Sequence, residues 1–253
     1  MDAFTIGTDQ GEGPGPVWGR VIRILRKKHP AFERVAHIYD PSSEQSFCVN
    51  VSLLLSRSQS ILSGSSVETS EERDADQTIY VSLASDGSSS PKISSIPQEI
   101  VAVLRHLVIA MQIRHTSVDT APHERPSTMA LPTELRFDVM VPLAGFILEY
   151  PVALSPTPIS GSDMSAFLSQ VPLHVYECAL DLGTDTAGSR RHLLMKFSIP
   201  SVLASVHPSD LSPSIVTSKL ETKLNSRLEQ AFPGSVPSLT VVYNTVTLDR
   251  VAL

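Results

Sequence analysis

The run His192-Leu193-Leu194-Met195-Lys196-Phe197-Ser198-Ile199-Pro200 alternates: Leu193, Met195, Phe197 and Ile199 share one side, while Lys196 and Ser198 make the other polar. A period of two over an apolar run marks a strand with one face turned to a core. The same alternation recurs in Leu239, Val241, Tyr243 and Thr245, which places a strand over Leu239–Val251. Apolar runs at Leu135–Val141, Gly145–Leu154 and Leu173–Leu180 read as three more strands. Between the last two strands the spacing changes. Ile215, Leu220, Leu224, Leu228 and Phe232 are the apolar contacts of a helix from about Ser214 to Phe232, preceded by Pro213 and ended by Pro233-Gly234. Strands joined by short turn-rich breaks imply antiparallel hairpins, so this half is expected to be a meander covered by a helix. Burial of a large apolar side chain contributes about 1.5–3 kcal/mol. Packing alone is therefore a sufficient reason for most of these residues.

Upstream, Val17, Trp18, Val21, Ile22 and Leu25 repeat at one-turn spacing and predict a helix over Val17–Lys28, stopped by Pro30. Val35–Tyr39 reads as a strand, and Phe47–Leu55 as a strand able to pass into a helix. Thr78–Ala84 is a further strand. The broadest apolar face belongs to a helix after Pro97, through Ile100, Val103, Leu104, Leu107, Val108 and Met111. Residues 1–16 are Gly/Pro-rich and read as a flexible lead. Stretches at about 56–76, 85–95 and 117–132 are rich in Ser, Pro, Thr or acid, lack apolar periodicity, and are expected to be mobile insertions. The apolar runs at 35–55 and 78–84 are too few for a separate core. The expectation is therefore one α+β domain over 17–253: a single mixed, largely antiparallel sheet with a C-terminal meander, covered by two or three helices.

The 42% apolar and 18% charged fractions are those of a folded chain, and a net charge of -6 disfavours nucleic acid as the main partner. Cys48 and Cys178 lie in separate apolar segments, too few for a disulfide framework or a four-cysteine zinc site, and read as buried free thiols. The opening residues lack the basic and apolar regions of a secretory signal. The most apolar run, Ile100–Met111, is too short to span a bilayer and contains Arg105 and His106. These features imply a soluble protein of the cytoplasm or nucleus.

Three segments carry a family resemblance: Gly145-Phe146-Ile147-Leu148-Glu149-Tyr150-Pro151-Val152, His192–Pro200, and the end Val246-Thr247-Leu248-Asp249-Arg250-Val251-Ala252-Leu253. They resemble an uncharacterised eukaryotic family, domain of unknown function 4504, typified by a human chromosome 1 open-reading-frame protein. In that family the first segment is similar to a strand closing on a Tyr-Pro-Val element. The chain departs from the pattern after Val152, where Ala153-Leu154 replace a second proline and an aromatic, and Lys196 has no evident counterpart. The resemblance implies a fold, and no chemistry.

Few residues suggest a reaction. Gly11-x-Gly13-x-Gly15 precedes a helix, but no strand leads into it, and Pro14 and Pro16 remove amide donors a phosphate would need. His106 and His115 are nine apart, on opposite faces of a helix turning about 100° per residue. His123 lies in a Pro-rich stretch, no paired cysteines or His-Glu-x-x-His occur, and so no metal or cofactor is expected. Ser160-Gly161-Ser162-Asp163 reads as a turn rather than a nucleophile elbow. Cys178 reads as a buried, neutral thiol.

Glu149 is the weak catalytic candidate. Alternation sets it in an apolar strand, either facing water or paired with a cation such as Lys196 or Arg250. Were it buried near His174, Lys196 or Arg250, it could serve as an acid/base in an enzyme pocket. Pro151 after Tyr150 points to an edge strand or bulge, so Glu149, Tyr150 and Pro151 form a candidate partner edge. Arg20, Arg23, Lys27 and Lys28, with Trp18 as anchor, offer a contact for an anionic membrane or nucleic acid, or simply a solvated face of a docked helix. The leading expectation is a non-catalytic protein-interaction module with a protein partner. An enzyme using Glu149 and a surface-binding basic helix are its rivals.

Overall fold

The structure, a computed structural model, describes residues 14–63, 78–83, 91–116, 127–133, 135–156, 168, 170–185, 188–234 and 237–249. It divides into two compact units, each drawn from two stretches of chain: Asp2–Glu71 with Ser95–Ile147, and Glu72–Ser94 with Leu148–Leu253. The α+β class holds. The single sheet does not: the described strands form three sheets of three strands. The reason is that upstream strands find second partners far along the chain. These pairings are parallel and need long crossover connections rather than hairpins.

In the first unit, α1 (Pro14–Lys28) leads through a 3-10 turn (Pro30–Phe32) to β1 (Val35–Tyr39) and β2 (Ser46–Asn50). β1 pairs antiparallel with β2 and parallel with β5 (Thr128–Ala130), giving the order β2-β1-β5. β2 runs directly into α2 (Val51–Leu62), because the Asn50 side chain accepts the Leu53 amide at 3.2 Å and caps the first turn. α3 (Gln98–Thr116) packs against α2 and α4 (Phe137–Ile147), burying Ile100, Leu104, Leu107 and Met111. Buried Arg57 ties α2 to α4: it donates to the Phe146 carbonyl at 2.8 Å, and its guanidinium lies 4.3 Å from that ring's centre.

α4 overturns two expectations, the strand at Leu135–Val141 and the first half of the strand at Gly145–Leu154. Val139, Met140, Leu143, Phe146 and Ile147 are all buried. Their spacing of three and four is helical, which a local reading of the β-branched run missed. Pro142 sits inside this helix, where only its bond to the Asp138 carbonyl is lost. Likewise α2 continues through residues 56–62, while β4 (Lys92–Ser94) and β5 lie inside the two other low-complexity stretches. Most of the remainder of those stretches, most of the lead 1–16, Ser160–Asp163, His123 and Arg250 lie outside the described residues.

The second unit holds two sheets. β3 (Ile79–Leu83) is flanked by β4, antiparallel, and β6 (Val152–Pro156), parallel. β7 (Pro172–Asp185) is flanked by β8 (Gly188–Pro200) and β9 (Ser238–Thr247), both antiparallel. The order β8-β7-β9 corrects the meander. After β8 the chain passes through α5 (Val202–Val206), α6 (Pro208–Leu211) and α7 (Pro213–Ala231), then returns along the far side of β7. One core joins these pieces, with Val81, Leu154, Tyr176, Ile199, Leu203 and Leu220 among its members. The alternation in β8 also breaks: Cys178 faces Met195 but Ala179 faces Leu193, so Leu194 is an extra residue. Leu193 is thereby turned off the core side and is 47% exposed.

Candidate functional site

Glu149 does not sit in a strand. It follows α4 with a φ of 61°, the left-handed conformation that reverses a helix end. A non-glycine residue there is held by its surroundings, and two cations supply the hold. The Glu149 carboxylate lies 2.6 Å from Arg227 and 3.2 Å from Lys223, one turn apart on α7. Lys196, the cation expected from the sequence, instead pairs with Glu177 at 2.7 Å, directly across the β7–β8 ladder. That hydrogen bond, then the Lys196 charge, lowers the Glu177 pKa. Glu149 thus fastens the loop before β6 to α7. Replacing it with alanine is expected to lose about 2 kcal/mol, between an exposed and a buried pair, measured by urea unfolding. A loss within error would show that the two cations are solvated instead.

Tyr150 and Pro151 lead into β6, which lies at the edge of its sheet. The Tyr150 carbonyl accepts the Thr78 hydroxyl at 3.0 Å, and the Pro151 carbonyl accepts the Ile79 amide at 2.8 Å. The Tyr150 ring is engaged as well, stacked on Phe197 at 5.4 Å. Burial raises its pKa.

That contact opens a file of rings across the β8-β7-β9 sheet. Phe197 stacks on Tyr176 at 5.1 Å, Tyr176 on Tyr243 at 5.7 Å, and His174 meets the Tyr243 edge at 5.7 Å. The register explains it, since Tyr176 lies opposite both Phe197 and Tyr243. Tyr176 is fully buried and its hydroxyl has no hydrogen-bond partner among the described residues. Burial, then the neighbouring Tyr243, pushes its pKa up to about 12. At the other end Tyr243 is 48% exposed. Cys178, on the same face, is buried, and its pKa is raised to about 11 by burial and then by Glu221. It is the neutral thiol expected from its strand. Cys48 is exposed, contrary to the expectation for both cysteines, because it lies on the face of β2 opposite Phe47 and Val49.

In the first unit, Arg20, Arg23, Lys27 and Lys28 are exposed along α1. Arg26 turns inward and donates to the Val35 carbonyl at 2.6 Å. Trp18 is not a free anchor: its ring lies 6.5 Å from His37. His37 is fully buried on β1, with Nδ1 3.2 Å from the Thr128 hydroxyl and Nε2 without a partner among the described residues. Burial lowers its pKa to about 4. Sequence reading passed over this residue, whose one signal was a polar side chain inside the apolar run Val35–Tyr39. His106 is exposed on α3. Among the described residues no group of three or more His, Cys, Asp or Glu could hold a metal. No helix there is long and apolar enough to cross a membrane.

The described residues thus define an α+β fold. The chain belongs to the domain of unknown function family DUF4504, which matches it over residues 34–253. No match to a curated protein or to a solved structure was found.

Proposed function

We propose that this chain is a non-catalytic protein-interaction module that docks through the outer edge of β9. One observation carries this reading: β9 is ten residues long and pairs with β7 on one side only among the described strands. Its sequence, Ser238-Leu239-Thr240-Val241-Val242-Tyr243-Asn244-Thr245-Val246-Thr247, contains no charge, proline or glycine. Such an edge is a template for strand addition, in which backbone hydrogen bonds supply affinity and alternate side chains supply selectivity. The docking element thus moves from Glu149–Pro151, where the Tyr150 ring is occupied by Phe197, to the far end of the same ring file.

The outward groups can be named. The Pro172 carbonyl accepts the Ser201 amide, so Pro172 faces the β8 side and Leu173 faces β9. Val246, opposite Leu173, therefore faces β7, and Val241, Tyr243, Thr245 and Thr247 direct their amides and carbonyls away from it. Thr245→Pro deletes one outward donor and no backbone bond to β7, together with the exposed contact of the Thr245 hydroxyl with His174 at 3.0 Å. Affinity capture of the tagged full chain from cells is expected to recover a stoichiometric partner, and Thr245→Pro to lose it while the unfolding midpoint is retained. A partner kept by the variant, or capture of neither another protein nor a second copy of the chain, would refute docking at this edge.

A further inference from the structure

We propose that the occupant of this edge is a second copy of the chain: two β9 strands pair antiparallel about a two-fold axis at Tyr243, joining two β8-β7-β9 sheets into one. This rests on the strand-addition reading above and names its partner.

The other described sheet edges each carry a feature that discourages pairing. β2 has five residues and passes straight into α2, while β4 and β5 have three residues each. β6 ends on Pro156. β8 carries Arg191 and Lys196 and is broken by the extra Leu194. Short strands, charges, prolines and bulges are the usual protections of an edge. β9 has none, and its register with β7 runs unshifted from Ser238 to Thr247. Val242 and Tyr243, on opposite faces of the sheet, are 44% and 48% exposed.

Self-pairing suits this particular sequence. With the axis at Tyr243, Val241 meets Thr245, Leu239 meets Thr247 and Val242 meets Asn244 of the other copy. Apolar and small polar side chains oppose one another, so no like charges are set against each other along the strand pair. Tyr243 is one of the outward-facing residues, which makes the axis a hydrogen-bonded pair with Cα atoms about 5.5 Å apart. The two Tyr243 rings would then be neighbours on the face that carries Tyr176 and Phe197, at the spacing of 5.1–5.7 Å already present in the file. The exposed last ring, already stacked on Tyr176, gains a neighbour on its outer side. A two-fold contact also consumes both open edges, so growth stops at two chains.

Light scattering on the purified full chain is expected to give the mass of two copies at micromolar concentrations. Tyr243→Lys, which sets two ammonium groups on the axis, and Thr245→Pro are each expected to halve that mass while keeping the thermal midpoint within a few degrees. In a Cys48→Ser background, Tyr243→Cys should cross-link quantitatively on mild oxidation, because a spacing of about 5.5 Å suits a disulfide. Val242→Cys, on the opposite face and paired with Asn244, should not. A single-chain mass up to high-micromolar concentration overturns self-pairing. So does a dimer that survives both edge variants, or cross-linking equal at both positions. If only self-pairing fails, Thr245→Pro still strips a different partner from cells. If that capture fails too, the strand-addition reading falls with it.

Discussion

Phe197→Ala is expected to destabilise the second unit by about 3–5 kcal/mol, the usual range for truncating a large core side chain. Phe197 is 7% exposed and lies between two rings, Tyr150 at 5.4 Å and Tyr176 at 5.1 Å. Its removal forfeits both stacks, each worth about 0.5–1.5 kcal/mol beyond area, and opens a cavity beside Tyr176, whose hydroxyl has no partner among the described residues. Since whole domains are stable by only about 5–15 kcal/mol, the urea midpoint should fall steeply with an unchanged slope. Phe197→Leu, which fills part of the space, should recover about half of the loss. A loss under about 1 kcal/mol would mean that the rings are not packed in this file.

The second large effect is expected in acid, in the first unit. His37 titrates at about 4 when folded against 6.5 when free, because burial disfavours the imidazolium. At pH 7 the ring is neutral in both states and imposes nothing. As pH falls below 6.5 the unfolded chain takes up a proton that the folded chain refuses, so stability declines from there to about pH 4, where the folded ring protonates too. At about 1.4 kcal/mol per tenfold change in proton affinity, the loss is at most on the order of 3 kcal/mol. His174, lowered in the same direction by burial, adds a slope of the same sign to the second unit. Stability measured at pH 7 and pH 4 should therefore differ by less in His37→Gln than in the parent chain. Equal differences would show that water reaches the Nε2 of His37.

The parts legible in the sequence were those with long local periodicity. β8 and β9 showed alternation over seven positions, β7 an apolar run, and α1 and α3 broad stripes, because most of each buries one face. α4 was not legible: its buried pairs Val139-Met140 and Phe146-Ile147 imitate a strand run when read a few residues at a time, and Pro142 argues against a helix. The extra Leu194 was hidden too, since a bulge is set by the partner strand and leaves no mark on the alternation before it. The candidate site fared worse. Glu149 was read as either facing water or paired with a cation such as Lys196 or Arg250, whereas its partners Arg227 and Lys223 come from α7, which no local pattern brings near it. The blandness of β9 was in plain view, yet it acquires meaning only from the order β8-β7-β9, and sheet order is a long-range property.

The way the two units share the chain has a consequence during synthesis. β1 must wait for β5, and β3 for β6, because each parallel partner lies beyond a long intervening stretch that belongs in part to the other unit. A ribosome emitting this polypeptide therefore releases neither unit whole until Ile147 has cleared for one and Thr247 for the other. The early segments spend that interval with their pairing surfaces vacant. Non-local pairings of this kind close slowly. The shared chain also makes cutting the gene at any single codon an unpromising way to obtain either unit alone.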